Sequence, residues 1–365
     1  MFKRSIAIVV AAVLVLTATP LLFGRSSACG LDGGAGCELP TPLSEVGAAI
    51  VGNEIYIFGG VAKGTGMTDT IMVYDARANG LNTLMTKMPC KVSNPNAFAL
   101  DGKVYVFGGQ AENGGHIRNM TVFTPPSTIE NKPNFFPYGV EGGAMAFDGK
   151  YLYVFGNCIE AQCGQRNLTR IDLRNLTLEV TPNVMPNNTA GASAIWYKGS
   201  AYLFGGKTVG GRLFDSIRKY TPGKPNGTLE ILPQHLPTPL MKFGLVQKGN
   251  YAYILGGMTP SNMSDQVLMI NLDTLDISIS GTTLCQPKAC RGVVGWGNNA
   301  YIIGGNTKSG PAVGIEVVTL PTIPEPPTKK NGFDRGDLVL IAGITGSLVV
   351  ILITLIVINR RKKEE

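Results

Sequence analysis

The sequence predicts an all-β protein built from six copies of one repeat. A short phrase recurs six times, the spacing between its copies is nearly constant, and each copy is flanked by the same pattern of apolar runs and glycines. The phrase is a tyrosine, two apolar residues and a glycine, with a second glycine in five of the copies. The copies begin at Tyr56, Tyr105, Tyr153, Tyr202, Tyr253 and Tyr301. A period near fifty residues indicates a repeat architecture in which each copy is one structural unit.

Each repeat is expected to form a four-stranded sheet. An apolar run, a turn glycine and the tyrosine phrase together predict a β-hairpin. In five repeats an aromatic or aliphatic residue with a polar neighbour, such as Tyr74-Asp75, predicts a third strand. A shorter run that contains leucine predicts the fourth. The glycine doublet, as at Gly59-Gly60, is expected to turn sharply at positive φ and to let neighbouring backbone approach closely. The six tyrosines are interpreted as structural.

These features resemble the kelch repeat, whose units of about 50 residues fold as the four-stranded blades of a β-propeller. The resemblance covers about residues 44–320 and implies a six-bladed kelch propeller. The chain departs from the family in two ways. Leucines such as Leu84 stand where the fourth strand usually has tryptophan, and the third doublet is Gly156-Asn157.

A propeller has to close, or its sheets keep exposed edges. The prolines of residues 321–327 cannot donate ladder hydrogen bonds, so this segment is not expected to be a central strand. Residues 34–39 precede the first strand of the first repeat and have no other assignment. We therefore predict that the N-terminal segment supplies the outer strand of the sixth blade, next to residues 313–320.

The two ends of the chain predict a type I membrane protein. Residues 1–28 have the basic, apolar and small-residue regions of a signal peptide, with an uncleaved signal anchor as the alternative. The propeller is predicted at 29–320 and a Pro-rich stalk at 321–337. Residues 338–358 are uncharged and long enough to span a bilayer as a helix. The basic tail, residues 359–365, is expected on the cytoplasmic side.

Two further patterns agree with a lumenal or extracellular propeller. Six Asn-x-Ser/Thr sequons predict N-glycosylation, at Asn119, Asn167, Asn175, Asn187, Asn226 and Asn262. Close cysteine pairs predict three disulfides that staple loops, Cys29–Cys37, Cys158–Cys163 and Cys285–Cys290, and leave Cys90 over. No Cys-x-x-Cys motif is present and the two histidines are isolated, so no metal site is predicted.

The tail also predicts a location. Lys362 and Lys363 resemble the dilysine signal that coat-protein machinery reads to retrieve membrane proteins to the endoplasmic reticulum. Basic residues are expected after any membrane span, so the cell surface is the alternative. Most of the formal charge of +7 lies at the chain ends. The propeller therefore has no basic patch of the kind that binds nucleic acid.

No catalytic residue or cofactor is predicted. Galactose oxidase, a kelch-like copper enzyme, needs two convergent histidines, whereas His116 and His235 fall in unlike positions of their repeats. The alternative to a binding module is a carbohydrate-active enzyme, either oxidase-like or similar to a sugar epimerase or mutarotase. Glu141, Glu160 and His116 are its candidate acid and base groups.

The favoured function is a module that binds a protein or glycan through the loops on one face. Lys91, Lys242 and Arg291 stand before first strands, where kelch propellers often carry an arginine that contacts ligand. The resemblance therefore implies that these three side chains face the ligand. Loop positions add His116, Arg166 and Arg212 to the predicted set, because cationic and aromatic side chains are common at interface centres.

Overall fold

The computed structural model describes residues 26–27, 36–156, 166–187, 189–208 and 210–321, and all regular structure in these ranges is β-strand. The strands in chain order are β1 Ser26–Ser27, β2 Glu38–Ser44, β3 Gly47–Val51, β4 Glu54–Phe58, β5 Val61–Ala62, β6 Gly66–Met67, β7 Thr70–Asp75, β8 Gly80–Lys87, β9 Asn96–Leu100, β10 Lys103–Phe107, β11 Met120–Thr124, β12 Thr128–Lys132, β13 Ala144–Phe147, β14 Leu152–Phe155, β15 Leu168–Asp172, β16 Thr177–Thr181, β17 Ser193–Tyr197, β18 Ser200–Phe204, β19 Ser216–Thr221, β20 Thr228–His235, β21 Gly244–Lys248, β22 Tyr251–Leu255, β23 Gln266–Asn271, β24 Ile277–Thr283, β25 Val293–Trp296, β26 Asn299–Ile303, β27 Asn306–Thr307 and β28 Gly310–Thr319.

These strands form six sheets, named here sheets 1 to 6 in chain order, and sheets 1 to 5 are blades of a β-propeller. Sheet 1 has the order β3-β4-β7-β8, sheet 2 β9-β10-β11-β12, sheet 3 β13-β14-β15-β16 and sheet 4 β17-β18-β19-β20. Sheet 5 is β21-β22-β23-β24, with β1 added in parallel to β24. Each sheet is thus an antiparallel meander, which confirms the four-strand pattern read from the repeats.

Sheet 6 combines the two ends of the described chain. Strands β25, β26 and β28 follow one another in the meander, and β2 pairs antiparallel with β28 through Glu38↔Gly314 and Leu43↔Ala312. The predicted pairing of the N-terminal segment with the last strand is confirmed, although the strand is Glu38–Ser44 rather than 34–39. Leu39 and Leu43 are buried on one side of β2. Burial of these two side chains places the strand later in the sequence.

The hydrophobic core is divided among the gaps between neighbouring sheets. Six clusters of buried side chains occur in the described chain, and each joins two consecutive sheets. One of them joins sheet 6 to sheet 1, where the rings of Tyr301 and Tyr74 lie 5.9 Å apart. Because burial of apolar surface is the main favourable term in folding, every sheet depends on both of its neighbours.

The glycine doublets connect each sheet to the segment that leaves it. First glycines have φ between 57° and 69°, and the second glycines that the structure describes have φ between 92° and 110°. The second glycine donates its N–H to a carbonyl oxygen in the segment that leads to the next sheet, and sheet 6 donates in the same way to the segment that leads to sheet 1. These bonds are Gly60–Val92, Gly109–Val140, Gly206–Leu240, Gly257–Lys288 and Gly305–Leu43, with N···O distances of 2.7 to 3.0 Å. The predicted roles of the doublet, positive φ and close backbone approach, are confirmed.

The two faces of the propeller differ in their connections. The loop face carries the loops that follow the doublets and the segments that lead into first strands. The turn face carries the hairpin turns, such as Asp101-Gly102. The described chain also ends on the turn face, where the N–H of Leu320 donates to Asn298 O at 2.8 Å.

The repeated tyrosines are part of the core, as predicted. Five of the six are buried, and Tyr202 is half-buried. Their hydroxyls bond near the turn face: Tyr153 donates to Asp148 Oδ2 at 3.1 Å, and Tyr253 donates to Pro321 O at 3.0 Å. Burial raises the pKa of Tyr253 above its ordinary value. The most regular element of the sequence is therefore scaffold.

Several predicted segments lie outside the described residues. They include the membrane span at 338–358, the stalk after Pro321, the tail and nearly all of the signal peptide. In the part of the chain that the structure describes, no helix is long and apolar enough to cross a membrane.

Substitutions at Gly102 and Gly108 can separate the effect of positive φ on stability from the effect of close backbone approach. A Cβ on Gly108 would lie 2.1 Å from Val140 O, whereas one on Gly102 would meet nothing within 4 Å, although φ is positive at both. We expect Gly102→Ala to lower the free energy of unfolding by about 1 kcal/mol through backbone strain. Gly108→Ala should lower it by more than about 3 kcal/mol, since backbone has to move. Urea denaturation of both variants measures the difference; equal losses would contradict this role of the doublet.

Candidate functional site at the channel mouth

One position of the repeat surrounds the mouth of the central channel on the loop face. It lies 14 residues before the first glycine of each doublet, so every repeat has one residue at this position. We call these residues the mouth ring: Glu45, Asn94, Gly142, Gly191, Lys242 and Cys290. The first five have φ between 51° and 69°. Non-glycine residues rarely adopt this conformation, and it commonly marks a functional or strained position.

The backbone of the mouth ring is joined from sheet to sheet. The N–H of a ring residue donates to the carbonyl oxygen of the preceding one at four steps. These bonds are Asn94–Glu45 at 2.7 Å, Gly191–Gly142 at 3.2 Å, Lys242–Gly191 at 2.9 Å and Cys290–Lys242 at 2.9 Å. The ring residues therefore have fixed positions around the channel before their side chains contribute.

Arg291, the residue after Cys290, reaches across the channel. Its Nη2 donates to Gly143 O at 3.1 Å, in the segment that leads into sheet 3, three sheets away. A Cβ on Gly142 would lie 2.7 Å from Nη1, so the glycine leaves room for this approach. Nη1 is buried and has no hydrogen-bond partner in the described residues. Burial lowers the pKa of Arg291, and the carboxylates of Glu141 and Glu45 oppose that shift.

Two carboxylates compensate the cations of the mouth. Lys242 Nζ and Glu45 Oε1 are 2.6 Å apart, and both side chains are about two-thirds buried. Glu141 accepts a hydrogen bond from Asn94 Nδ2 at 3.1 Å. His116, almost fully buried, places Nδ1 3.2 Å from the other oxygen of Glu141. The mouth cluster is therefore Glu45, Asn94, His116, Glu141, Lys242 and Arg291.

The mouth cluster covers a small polar cavity. Its volume is about 180 Å³, and the start of the first strand of every sheet contributes to its wall. Lining residues include Gly47, Asn96, Met145, Ser193, Leu245 and Val293, with Arg291 at the mouth. A cavity of this size has room for a small polar group rather than for a whole drug-sized ligand.

The structure brings three of the six predicted ligand-facing residues together and separates the others. Lys242, Arg291 and His116 belong to the mouth cluster. Lys91 is exposed and pairs with Glu112 at 2.9 Å, because it lies three residues before the ring position Asn94. Arg166 is a structural residue, since its Nε donates to Met185 O at 3.0 Å.

Arg212 is exposed on the loop after the fourth doublet. Its carbonyl oxygen accepts the N–H of Thr208 at 2.9 Å, and it has no contact with the mouth cluster in the described part of the chain. Sequence reasoning gave no binding role to Glu45 and Asn94. The constant offset of 14 residues from the doublet is the signal that identifies both.

A second buried arginine was not anticipated. Arg218 on β19 is 3% exposed, and its guanidinium lies over the ring of Phe214 at 5.2 Å. It donates to Gly205 O and to Thr189 Oγ1, the latter at 3.3 Å. Burial lowers its pKa to about 10. These contacts stabilise the backbone at the fourth doublet, so Arg218 has a structural role.

The predicted disulfide Cys285–Cys290 is not formed in the structure. Cys290 is buried between sheets 5 and 6 and its Sγ donates to Leu255 O at 3.4 Å, whereas Cys285 is exposed. The two side chains therefore occupy different environments. Cys37 and Cys90 also have no disulfide. Cys29, Cys158 and Cys163 lie outside the described residues, as does Glu160.

The sequons fall into two groups. Asn175, Asn187, Asn226 and Asn262 are exposed, whereas Asn119 and Asn167 are half-buried at the start of a third strand. Asn119 Oδ1 accepts the N–H of Asn134 at 2.9 Å, which ties the third strand to the end of the fourth. The half-buried pair thus also has a structural role.

Nothing in the described ranges resembles a metal centre: no group of three or more His, Cys, Asp or Glu side chains is placed to hold an ion. In the mouth cluster, Glu45 instead pairs with Lys242, and Glu141 lies next to His116.

Comparison with known proteins identifies the repeats. A family model described as the KLHDC2/KLHL20/DRC7 Kelch-repeats domain matches residues 35–206. This part of the chain is a Kelch-repeat domain. The solved structure of YjhT superimposes with a TM-score of 0.64 at 17% sequence identity, covering 76% of this chain and 95% of that one. At this identity the likeness shows the fold, so the mouth of this propeller has to be interpreted from its own residues.

The burial of Cys290 predicts its reactivity. Burial raises the pKa of this thiol to about 11, and only the thiolate reacts with alkylating reagents. We expect Cys290 to resist iodoacetamide at about pH 8 in the folded protein and to react after unfolding without reductant. Mass spectrometry of the alkylated peptides measures both states. A Cys290 that reacts only after reduction would contradict the structure and support the disulfide.

Proposed function

We propose that this protein is a membrane-anchored Kelch propeller that binds a protein or glycan ligand at the channel mouth of its loop face. Kelch propellers are generally protein-interaction modules, which makes binding the first expectation for the domain. The observation that carries the proposal is the buried Nη1 of Arg291, which has no acceptor in the described protein. A buried donor without a partner costs free energy, and a ligand acceptor would remove that cost.

The surroundings of Arg291 support a polar ligand group rather than a simple anion. Glu45 and Glu141 already balance the charges of Lys242 and Arg291, so the mouth attracts neither sign strongly. A carbonyl, hydroxyl or amide oxygen can accept from Nη1 without repulsion from the two carboxylates. Such groups are present on protein loops and on sugars.

The propeller is proposed to be tethered to a membrane. The last described residue, Pro321, lies on the turn face. We propose that residues 338–358 span the membrane, that residues 1–28 direct the propeller to the lumenal or extracellular side, and that the exposed sequons carry glycans. The basic tail favours this orientation.

Closure of the propeller is part of the proposal. We infer that sheet 6 is a sixth blade, in which β2 supplies the outer strand and joins the N-terminal segment to β28. The hydrogen bond from Gly305 to Leu43 and the core between sheets 6 and 1 support this inference. An experimental structure that separates residues 38–44 from residues 310–319 would contradict it.

Three single substitutions test the binding site. Arg291→Ala and Lys242→Ala should each weaken ligand capture by about tenfold, the loss expected for a charge-assisted hydrogen bond. Lys91→Ala is the matched control, because Lys91 lies outside the mouth cluster, and it should leave capture unchanged. Quantitative mass spectrometry compares what the full-length variants retain from membranes of the same organism.

The capture experiment requires that the variants fold. Thermal melting of each one provides that control, since loss of Arg291 leaves Glu141 and Glu45 with less compensation. Equal capture by all four proteins, with normal melting, would refute the mouth as the binding site. If Lys91→Ala weakened capture as strongly as Arg291→Ala, the binding site would extend beyond the mouth cluster.

A second candidate function is favoured by one contact. His116 and Glu141 form a close pair beside the channel, which is the arrangement of a general acid and base. A carbohydrate-active enzyme would use this pair on a sugar held in the mouth. Glu141→Gln distinguishes the two functions, because it abolishes proton transfer while it preserves shape: an enzyme loses turnover, and a binding module retains its ligand.

The location is proposed to be the endoplasmic reticulum, with the cell surface as the alternative. Lys362 and Lys363 would engage the coat-protein machinery. We expect the N-glycans to stay sensitive to an endoglycosidase specific for high-mannose chains, and Lys362→Ser with Lys363→Ser to make them resistant. Gel mobility after digestion measures this. Resistant glycans on the wild-type protein would contradict retention.

A further inference from the structure

The loop face has a second concavity, away from the channel mouth. It lies between the loops that follow the fifth and sixth doublets, with the segment from β24 to β25 as its floor. Its volume is about 700 Å³, and its lining is mainly apolar. We call it the sheet 5–6 groove and define it by Met258, Pro260, Met263, Pro287 and Lys308. Ligand sites commonly have volumes of 300 to about 1,000 Å³.

Both walls of the groove are held by short-range hydrogen bonds. In the first wall, Thr259 Oγ1 donates to Asn262 O at 2.6 Å and accepts from Asn262 N at 3.0 Å. In the second wall, Thr307 Oγ1 donates to Gly310 O at 2.8 Å and accepts from Ser309 N at 3.1 Å. These hydrogen bonds fix the two turns, so binding would cost little loop entropy.

The chemistry of the groove selects its occupant. Met258, Met263 and the two prolines offer an apolar surface, and methionine adapts to side chains of different shapes. Lys308 is exposed at the rim and forms no ion pair with any residue that the structure describes. In contrast, Lys91, Lys242 and Lys288 on the same face are paired with carboxylates. A ligand with an apolar group next to a negative charge would contact both the apolar surface and Lys308.

We propose that the sheet 5–6 groove binds an extended segment of a partner protein that presents a large apolar side chain beside a carboxylate. The inference rests on the proposed binding function and names the chemistry of a partner at a second site. Apolar contact with Met258 and Met263 supplies the affinity, and Lys308 sets the preference for an acidic segment.

Paired peptides test the proposal on the full-length protein in detergent. One probe is a fluorescent decapeptide of alternating leucine and glutamate, and its control has lysine in place of glutamate. We expect the acidic peptide to bind and the basic one not to bind. Lys308→Glu should weaken the acidic peptide about two- to fivefold, the size of one exposed charge contact, and strengthen the basic one. Fluorescence anisotropy measures each Kd.

Lys63→Glu is the matched control, because Lys63 is also an exposed cation of the loop face, beside sheet 1. It should leave binding unchanged. Equal effects of the two substitutions, or no binding of the acidic peptide, would overturn the proposal. Ligand capture through Arg291 would still stand in that case, so failure of the groove and failure of the mouth are distinguishable.

The Asn262 sequon lies on the groove wall and provides a second decisive measurement. A glycan at this position would compete with a partner segment only if it folded back into the groove, and we expect it to extend into solvent. The proposal expects the wild-type protein and Asn262→Gln to bind the acidic peptide with similar Kd. Binding by Asn262→Gln alone, with a glycan found on wild-type Asn262, would assign the groove to the protein's own sugar and overturn the proposal.

Discussion

The hydrogen bond between the second glycine of the five Gly-Gly doublets and the segment leading to the next sheet positions most of what surrounds the channel. The acceptor carbonyl oxygen lies two residues before a mouth-ring residue: Val92 precedes Asn94, Leu240 precedes Lys242, and Leu43 precedes Glu45. The residue before the donor, the first glycine of the doublet, has to be glycine because its Cβ would lie about 2 to 3 Å from the same carbonyl oxygen. The repeated glycine doublet therefore fixes the positions of the mouth-ring residues, which differ from repeat to repeat.

Charge compensation gives the mouth its chemical character. Two cations and two carboxylates from four different segments meet there, and the largest separation between paired residues along the chain is 197 positions, between Glu45 and Lys242. Buried ionic groups are tolerated when each has partners. In the mouth cluster, the buried Nη1 of Arg291 has no hydrogen-bond partner among the described residues, and this unmet donor distinguishes a potential contact point from a purely structural network.

The sequence predicted the repeats, their strands and the pairing of the two chain ends, because these depend on local patterns. Strand alternation, turn glycines and the tyrosine phrase all act within one repeat. The candidate site was predicted less well. Lys91, Lys242 and Arg291 looked equivalent by their closeness to a first strand, yet Lys91 lies three residues from its ring position and pairs with Glu112 instead. Arg166 looked like a loop cation, and its backbone contact makes it structural.

By itself, the sequence determined the repeat, the count of its copies and the positions at which glycine is needed, since each follows from steric limits on a short stretch of chain. Tertiary structure decided which side chains share the mouth. Arg291 meets Gly143 because the sheets turn around a common axis and bring distant repeats to one channel, a geometry that no local pattern contains. It also decided that Cys290 points into the core, where burial separates it from the solvent-exposed Cys285.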